Sequence, residues 1–260
     1  MKIEVYFTPF GLEEQNLSER VVVVIDVLRA SSSMIAALQN GAKEIIPVLT
    51  VADAQQVATG GLGNDFSKDH PLLCGERLGK MIDGFDLGNS PGEFTQERVK
   101  GKSLVFSTTN GTKALLAAKG ARALAIAGFN NISIVKEFIL KPEYADCHLV
   151  IVCAGRDDRF ALEDTICAGL LIDKLIADKR QINFLLTDTA GASRVLYEKY
   201  RGNELSALKD SEHGKYLTSI GFSADIAHAA RIDSSQALPI FEEGVLKLMK
   251  LETKKFKRVS

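Results

Sequence analysis

The chain has 260 residues, 46% of them hydrophobic, with 32 Lys and Arg set against 33 Asp and Glu. The near-cancellation of charge argues against a nucleic-acid partner, and the apolar share is that of a globular protein with a large core. No secretory leader is expected at the N-terminus and no apolar run nears the roughly 18 residues of a membrane span, so the expected setting is cytoplasmic, with no membrane partner.

From the N-terminus, residues 2–7 alternate like a short strand and the chain turns at Pro9–Gly11. The apolar run 21–26 ends on Asp26, passes through Asp26-Val-Leu-Arg29-Ala-Ser31-Ser32-Ser33, and enters a helical pattern over 31–40. Further strands are predicted near 44–49, 72–74, 103–107, 122–127, 148–153 and 182–186. Helical patterns fall near 51–58, 111–119, 131–139, 161–177, 189–201 and 240–251. The segment 60–100 opens on a glycine-rich loop, Gly60-Gly61-Leu62-Gly63. It continues through glycine-rich polar turns in which Phe85 and Leu87 suggest an ordered, site-building loop. Cys74, Cys147, Cys153 and Cys167 sit in or beside apolar segments without C-x-x-C spacing, which points to buried free thiols. The basic tail Lys254–Arg258 reads as a solvated terminus.

Strands alternating with helices predict an α/β fold, three-layer α/β/α, with a largely parallel or mixed sheet. Residues 21–48 and 103–127 both run strand, polar turn, helix, Gly-Ala, strand, and the shared glycine suits a left-handed helix cap. The preferred organisation is one domain over 1–260 with two similar lobes, about 1–100 and 101–260, sharing a cleft.

The turn Ser107-Thr108-Thr109-Asn110-Gly111-Thr112 and its counterpart at 26–33 each join a strand to a helix N-terminus, where backbone N–H groups favour an anion. Asp26, Glu76, Glu163 and Asp164 stand beside such turns; carboxylates without histidine companions are a ligand set for Mg²⁺. Arg29, Arg77, Arg156 and Arg159 lie in polar turns where a guanidinium can fork onto phosphate or carboxylate. No Walker A, G-x-G-x-x-G or G-x-S-x-G pattern is present. The pattern suits a small, highly anionic substrate.

Taken together, Asp26-Val-Leu-Arg29-Ala-Ser, Gly75-Glu76-Arg77, Gly84-Phe85-Asp86-Leu-Gly88-Asn89-Ser90-Pro91, Ser107–Thr112 and Ala161-Leu-Glu163-Asp164 with Cys167-Ala-Gly169 resemble the 2-phosphosulfolactate phosphatase family. The resemblance runs on to Ser211-x-His213-Gly214. It implies a Mg²⁺-dependent phosphatase that releases 3-sulfolactate and phosphate, a coenzyme M biosynthesis step in methanogens. It also implies a fold distinct from the haloacid dehalogenases, in keeping with Leu28 where their second nucleophile-motif acid would stand. On this reading Asp26, Arg29, Glu76 and Asp164 are catalytic, and Asp26, Glu76, Glu163 and Asp164 are the candidate metal ligands. Ser31, Ser32, Ser33, Arg77, Asn89, Ser90, Ser107, Thr108, Thr109, Asn110, Gly111, Thr112 and Arg159 would bind substrate. A phosphatase for another phosphorylated 2-hydroxy acid and a non-catalytic organic-phosphate sensor are the alternatives. A homodimer is the ordinary expectation for assembly.

Overall fold

The computed structural model describes residues 1–61, 70–180 and 182–250. Leu62 and Gly63 of the glycine-rich loop, and the basic tail, lie outside the described residues. The strands are β1 (Lys2–Tyr6), β2 (Arg20–Ile25), β3 (Glu44–Pro47), β4 (Leu72–Arg77), β5 (Lys80–Met81), β6 (Ser103–Ser107), β7 (Ala123–Ala127), β8 (His148–Cys153), β9 (Leu185–Leu186), β10 (Leu238–Glu242) and β11 (Val245–Met249). The helices are α1 (Ala30–Gln39), α2 (Val51–Ala58), α3 (Gln96–Val99), α4 (Gly111–Ala117), α5 (Ile132–Ile139), α6 (Leu162–Ile176), α7 (Asp188–Tyr200), α8 (Glu204–Asp210), α9 (Glu212–Ser219) and α10 (Ser223–Ala229).

All the strands join one mixed sheet in the order β5-β4-β6-β3-β11-β10-β7-β2-β8-β1-β9. Two parallel blocks, β4-β6-β3 and β7-β2-β8-β1-β9, are joined by the β10–β11 hairpin, which pairs antiparallel to β3 on one side and β7 on the other. Strand β2 shows why three layers form. Val21, Val23 and Ile25 belong to the core that α5 and α6 cover, whereas Val22 and Val24 belong to the core that α1 and α4 cover. A strand buried on both faces must be apolar throughout, and β2 is.

The helix predicted at 240–251 is not found: its described residues, 240–250, take up the later part of β10, the turn and β11. The hairpin's two-residue loop, Glu243-Gly244, has positive φ at both positions (51° and 85°), a turn whose twist matches paired strands. Burial of Leu238, Ile240 and Leu246 between the parallel blocks decides against a helix there. Gly41 adopts the expected left-handed cap at φ 91°, but Gly120 has no positive φ, so that part of the apparent repeat is not structural. All four cysteines are free and buried. No helix among the described residues is long and apolar enough to cross a membrane.

Helices α6 and α7 pack closely at Gly169. At Gly169 a Cβ would overlap the Ser193 carbonyl oxygen and come within 2.7 Å of Tyr197 Cβ. Gly169→Ala is therefore expected to lose about 1–3 kcal/mol in urea unfolding despite the better helix propensity of alanine. An unchanged midpoint would show that the two helices separate without cost.

Candidate active site

The site is built where β2, β4, β6 and β8 end. Past Ile25 the chain folds back on itself: the Asp26 N–H donates to Ser31 Oγ (2.8 Å) and the Ser31 N–H donates to the Asp26 carbonyl (2.8 Å). Asp26 Oδ1 accepts from the Ala30 N–H at 3.2 Å. Its other oxygen faces Gly111, where a Cβ would come within 2.6 Å. Glycine at 111 is thus a steric requirement of the carboxylate. Ser32 Oγ donates to the Val27 carbonyl and Ser33 Oγ to the Asn89 carbonyl, so all three serines hold backbone in place.

Glu76, at the end of β4, is held at both oxygens by backbone: Oε1 accepts from the Thr109 N–H and Oε2 from the Gly79 N–H, each at 2.9 Å. Asp164 is held likewise by the N–H groups of Val27 (2.8 Å) and Gly155 (3.1 Å), tying the ends of β2 and β8 together. Several N–H groups of the two polar turns are thus already given to the protein's own carboxylates. Thr108 and Thr112 bond reciprocally, and Asn110 Oδ1 accepts from the Asp157 N–H.

Above these groups lies a cavity of about 150 Å³. Among the predicted residues, Asp26, Arg29, Glu76, Asn89, Thr109 and Asn110 line it, joined by Arg156, Asp157, His213 and Tyr216. The loop anchored by buried Phe85 and Leu87 delivers Asn89, whose buried side-chain oxygen has no partner among the described residues. The cavity shares Arg156, Asp157 and His213 with an outer cleft of about 760 Å³ that holds Arg159 and Glu163. Glu163 Oε1 is 3.5 Å from His213 Nδ1.

Other predicted residues are engaged elsewhere. The Arg77 guanidinium donates to the carbonyls of Glu76, Ser107 and Leu49 and to Ser107 Oγ, knitting β4 to β6 behind the cavity. Asp164 lies beneath the cavity, not on its wall, because its two oxygens are turned to the strand ends. Ser90 Oγ donates to Asp225. Arg29 lines the cavity but both its terminal nitrogens are engaged: it pairs with Asp225 at 2.8 Å, donates to the Gly79 carbonyl, and lies 4.2 Å over the Phe222 ring. Both partners of that ion pair are buried, so removing Asp225 would strand a charge in the interior.

A family model described as 2-phosphosulpholactate phosphatase matches residues 6–244. The chain is 37% identical over 247 residues to a probable 2-phosphosulfolactate phosphatase of Caldanaerobacter subterraneus subsp. tengcongensis, covering 95% of this chain and 98% of that one. Similar proteins of the same name occur in Symbiobacterium thermophilum (37% over 235 residues, 90% and 97% coverage) and Thermotoga maritima (37% over 226 residues, 87% and 91%). The chain belongs to the 2-phosphosulfolactate phosphatase family. This is an enzyme family, of phosphoric monoester hydrolases.

In this member of the 2-phosphosulfolactate phosphatase family, sequence reasoning reached His213 only as part of Ser211-x-His213-Gly214, without a role, and missed Tyr216, Phe222 and Asp225. All four come from α9, α10 and the turn between them, where the sequence past Gly214 offers no chemical motif. The local signal is Ser211, whose hydroxyl caps α9 by accepting from the Gly214 N–H at 2.9 Å and so fixes where His213 points.

Burial dominates the electrostatics. Desolvation raises the Asp26 pKa from 3.8 to about 6, opposed by the charge of His213 and the Ala30 N–H and assisted by Glu76 and Glu163. Burial, then the charges of Glu163 and Asp26, also raises Asp164 well above the ordinary range. The folded state therefore favours protonated Asp26, a contribution complete below about pH 4 and lost as pH rises through about 6. Asp26→Asn keeps the Oδ1 acceptor and removes the charge. It is expected to exceed wild type in stability by roughly 2–3 kcal/mol above pH 6, the gap closing below pH 4. Urea titrations at pH 4 and pH 8 check this; a less stable variant at pH 8 would contradict it.

Proposed function

We propose that the protein hydrolyses 2-phosphosulfolactate to 3-sulfolactate and inorganic phosphate, and that it does so with Mg²⁺. The observation that carries this reading is the meeting of Asp26 and Glu76 with His213 and Arg156 in one small cavity. Acid, base and cation for a compact polyanion are then all within one enclosure.

Among the described residues, no three His, Cys, Asp or Glu side chains are grouped to hold a metal by themselves. Mg²⁺ does not need that, since it is commonly held by one or two carboxylates together with waters and substrate phosphate. The donor chemistry fits: Asp26 and Glu76 offer hard oxygens on the cavity wall and would hold the ion. When bound, Mg²⁺ neutralises phosphoryl charge and favours ionisation of water.

The chain's own groups supply the rest. Asp26, whose carboxylate lines the cavity, takes a proton from the attacking water as the water oxygen bonds to phosphorus. The bond from phosphorus to the ester oxygen breaks, and that oxygen receives a proton from His213, which Glu163 orients. Asn89 and Arg156 position the substrate, and the Arg29–Asp225 pair keeps the floor of the cavity rigid. A coenzyme M-type pathway belongs to the same proposal.

Phosphate release from 2-phosphosulfolactate, 2-phospholactate and phosphoglycolate, with Mg²⁺ and with chelator, tests it. Chelation is expected to abolish turnover. Asp26→Asn and Glu76→Gln, folded by circular dichroism, should each lower kcat at least about 100-fold. Turnover surviving either substitution at the wild-type rate would reject the assignment.

A further inference from the structure

Two arginines line the inner cavity, Arg29 and Arg156, whereas Arg159 lines only the outer cleft. Arg29 is spent on Asp225, the Gly79 carbonyl and the Phe222 ring, and Arg77 on backbone carbonyls and Ser107. The Arg156 side chain is 28% exposed, and its one charged neighbour among the described residues is Asp157, 3.7 Å from Nε. Its terminal nitrogens, the fork that grips carboxylate, sulfonate or phosphate in two parallel bonds, have no partner among the described residues.

The side chain is nevertheless held firmly. A two-residue turn, Asp157-Asp158, with φ of 51° and 58°, closes a backbone bridge in which Arg156 and Arg159 exchange both N–H to carbonyl bonds at 2.9 Å. The guanidinium lies 4.8 Å over the Tyr216 ring, and Tyr216 is itself anchored through its hydroxyl to the Leu78 carbonyl (2.9 Å). A free fork on a fixed stem is pre-organised for a ligand.

Its place in the cavity says which part of a ligand it meets. Asp26 and Glu76 line only the inner cavity, whereas Arg156 stands on the wall shared with the outer cleft. A phosphoryl group seated against Asp26 leaves the remainder of the molecule beside Arg156. Asn89, whose buried side-chain oxygen has no hydrogen-bond partner among the described residues, lines the same cavity.

We propose that Arg156 reads a second acidic group of the substrate, a carboxylate or sulfonate, and so restricts the enzyme to phosphomonoesters that carry one. This rests on the phosphatase reading above.

The test compares wild type, Arg156→Met and Arg156→Lys on four esters: 2-phosphosulfolactate, 2-phospholactate (no sulfonate), phosphoisethionate (no carboxylate) and isopropyl phosphate (neither). Arg156→Met is expected to lower kcat/KM roughly 100-fold for 2-phosphosulfolactate and less than about threefold for isopropyl phosphate, with Arg156→Lys between. Whichever of the two single-acid esters shares the large loss identifies the group Arg156 holds. An equal loss on all four esters would overturn the proposal, because the contact would then be with the phosphoryl group; so would no loss at all. Calorimetric binding of 3-sulfolactate separates this from a failure of the phosphatase reading. Binding by wild type that Arg156→Met abolishes, without turnover of any ester, would keep Arg156's role and reject the phosphatase. Binding unaffected by the substitution, or absent from wild type, would overturn the proposal.

Discussion

The burial of carboxylates at the strand ends is the constraint on which the rest of this structure turns. Asp26, Glu76, Glu163 and Asp164 are all nearly inaccessible, and three of them accept backbone N–H groups from the turns around them. Charge taken out of water is costly, and donors aimed at it by the backbone offset only part of the cost. The remainder shows as the raised pKa of Asp26 and Asp164. On the proposed mechanism, that cost in stability is the condition for a proton acceptor and for hard oxygens in the cavity.

The same constraint divides the acids by role. Asp164 is turned away from the cavity and fastens β2 to β8, so its contribution is to hold Asp26 in place. Glu76 is fixed at both oxygens yet remains on the cavity wall. Gly111 gives Asp26 room, and the serines after Asp26 shape the turn that carries it. Function here depends on backbone geometry as much as on side-chain identity.

Much of this was legible in the chain. Apolar runs closed by polar turns located β2, β6, β7 and β8, and the chemistry of their turns pointed to Asp26, Glu76, Asn89 and Thr109 on one cavity. What was not legible has physical reasons. The β10–β11 hairpin is decided by the two strands it bridges, and its Glu-Gly turn is a weak local signal. Arg29 and Arg77 read as ligand-binding residues, but partners far along the chain, Asp225 and Ser107, determine what they are free to do. His213 and Tyr216 acquire their place only when α9 packs over the β4–β5 turn, a contact that no spacing in the sequence encodes.

The central claim is that Asp26 is a desolvated acid, and the proposed function adds that it meets Mg²⁺. Carbon-13 NMR titration of aspartate carboxyl groups, with the Asp26 signal assigned by its loss in Asp26→Asn, tests this directly. The account predicts a pKa of about 6 in the free protein, against an ordinary 3.8, and a marked fall when Mg²⁺ is added. A pKa near 3.8 that Mg²⁺ does not move would contradict it.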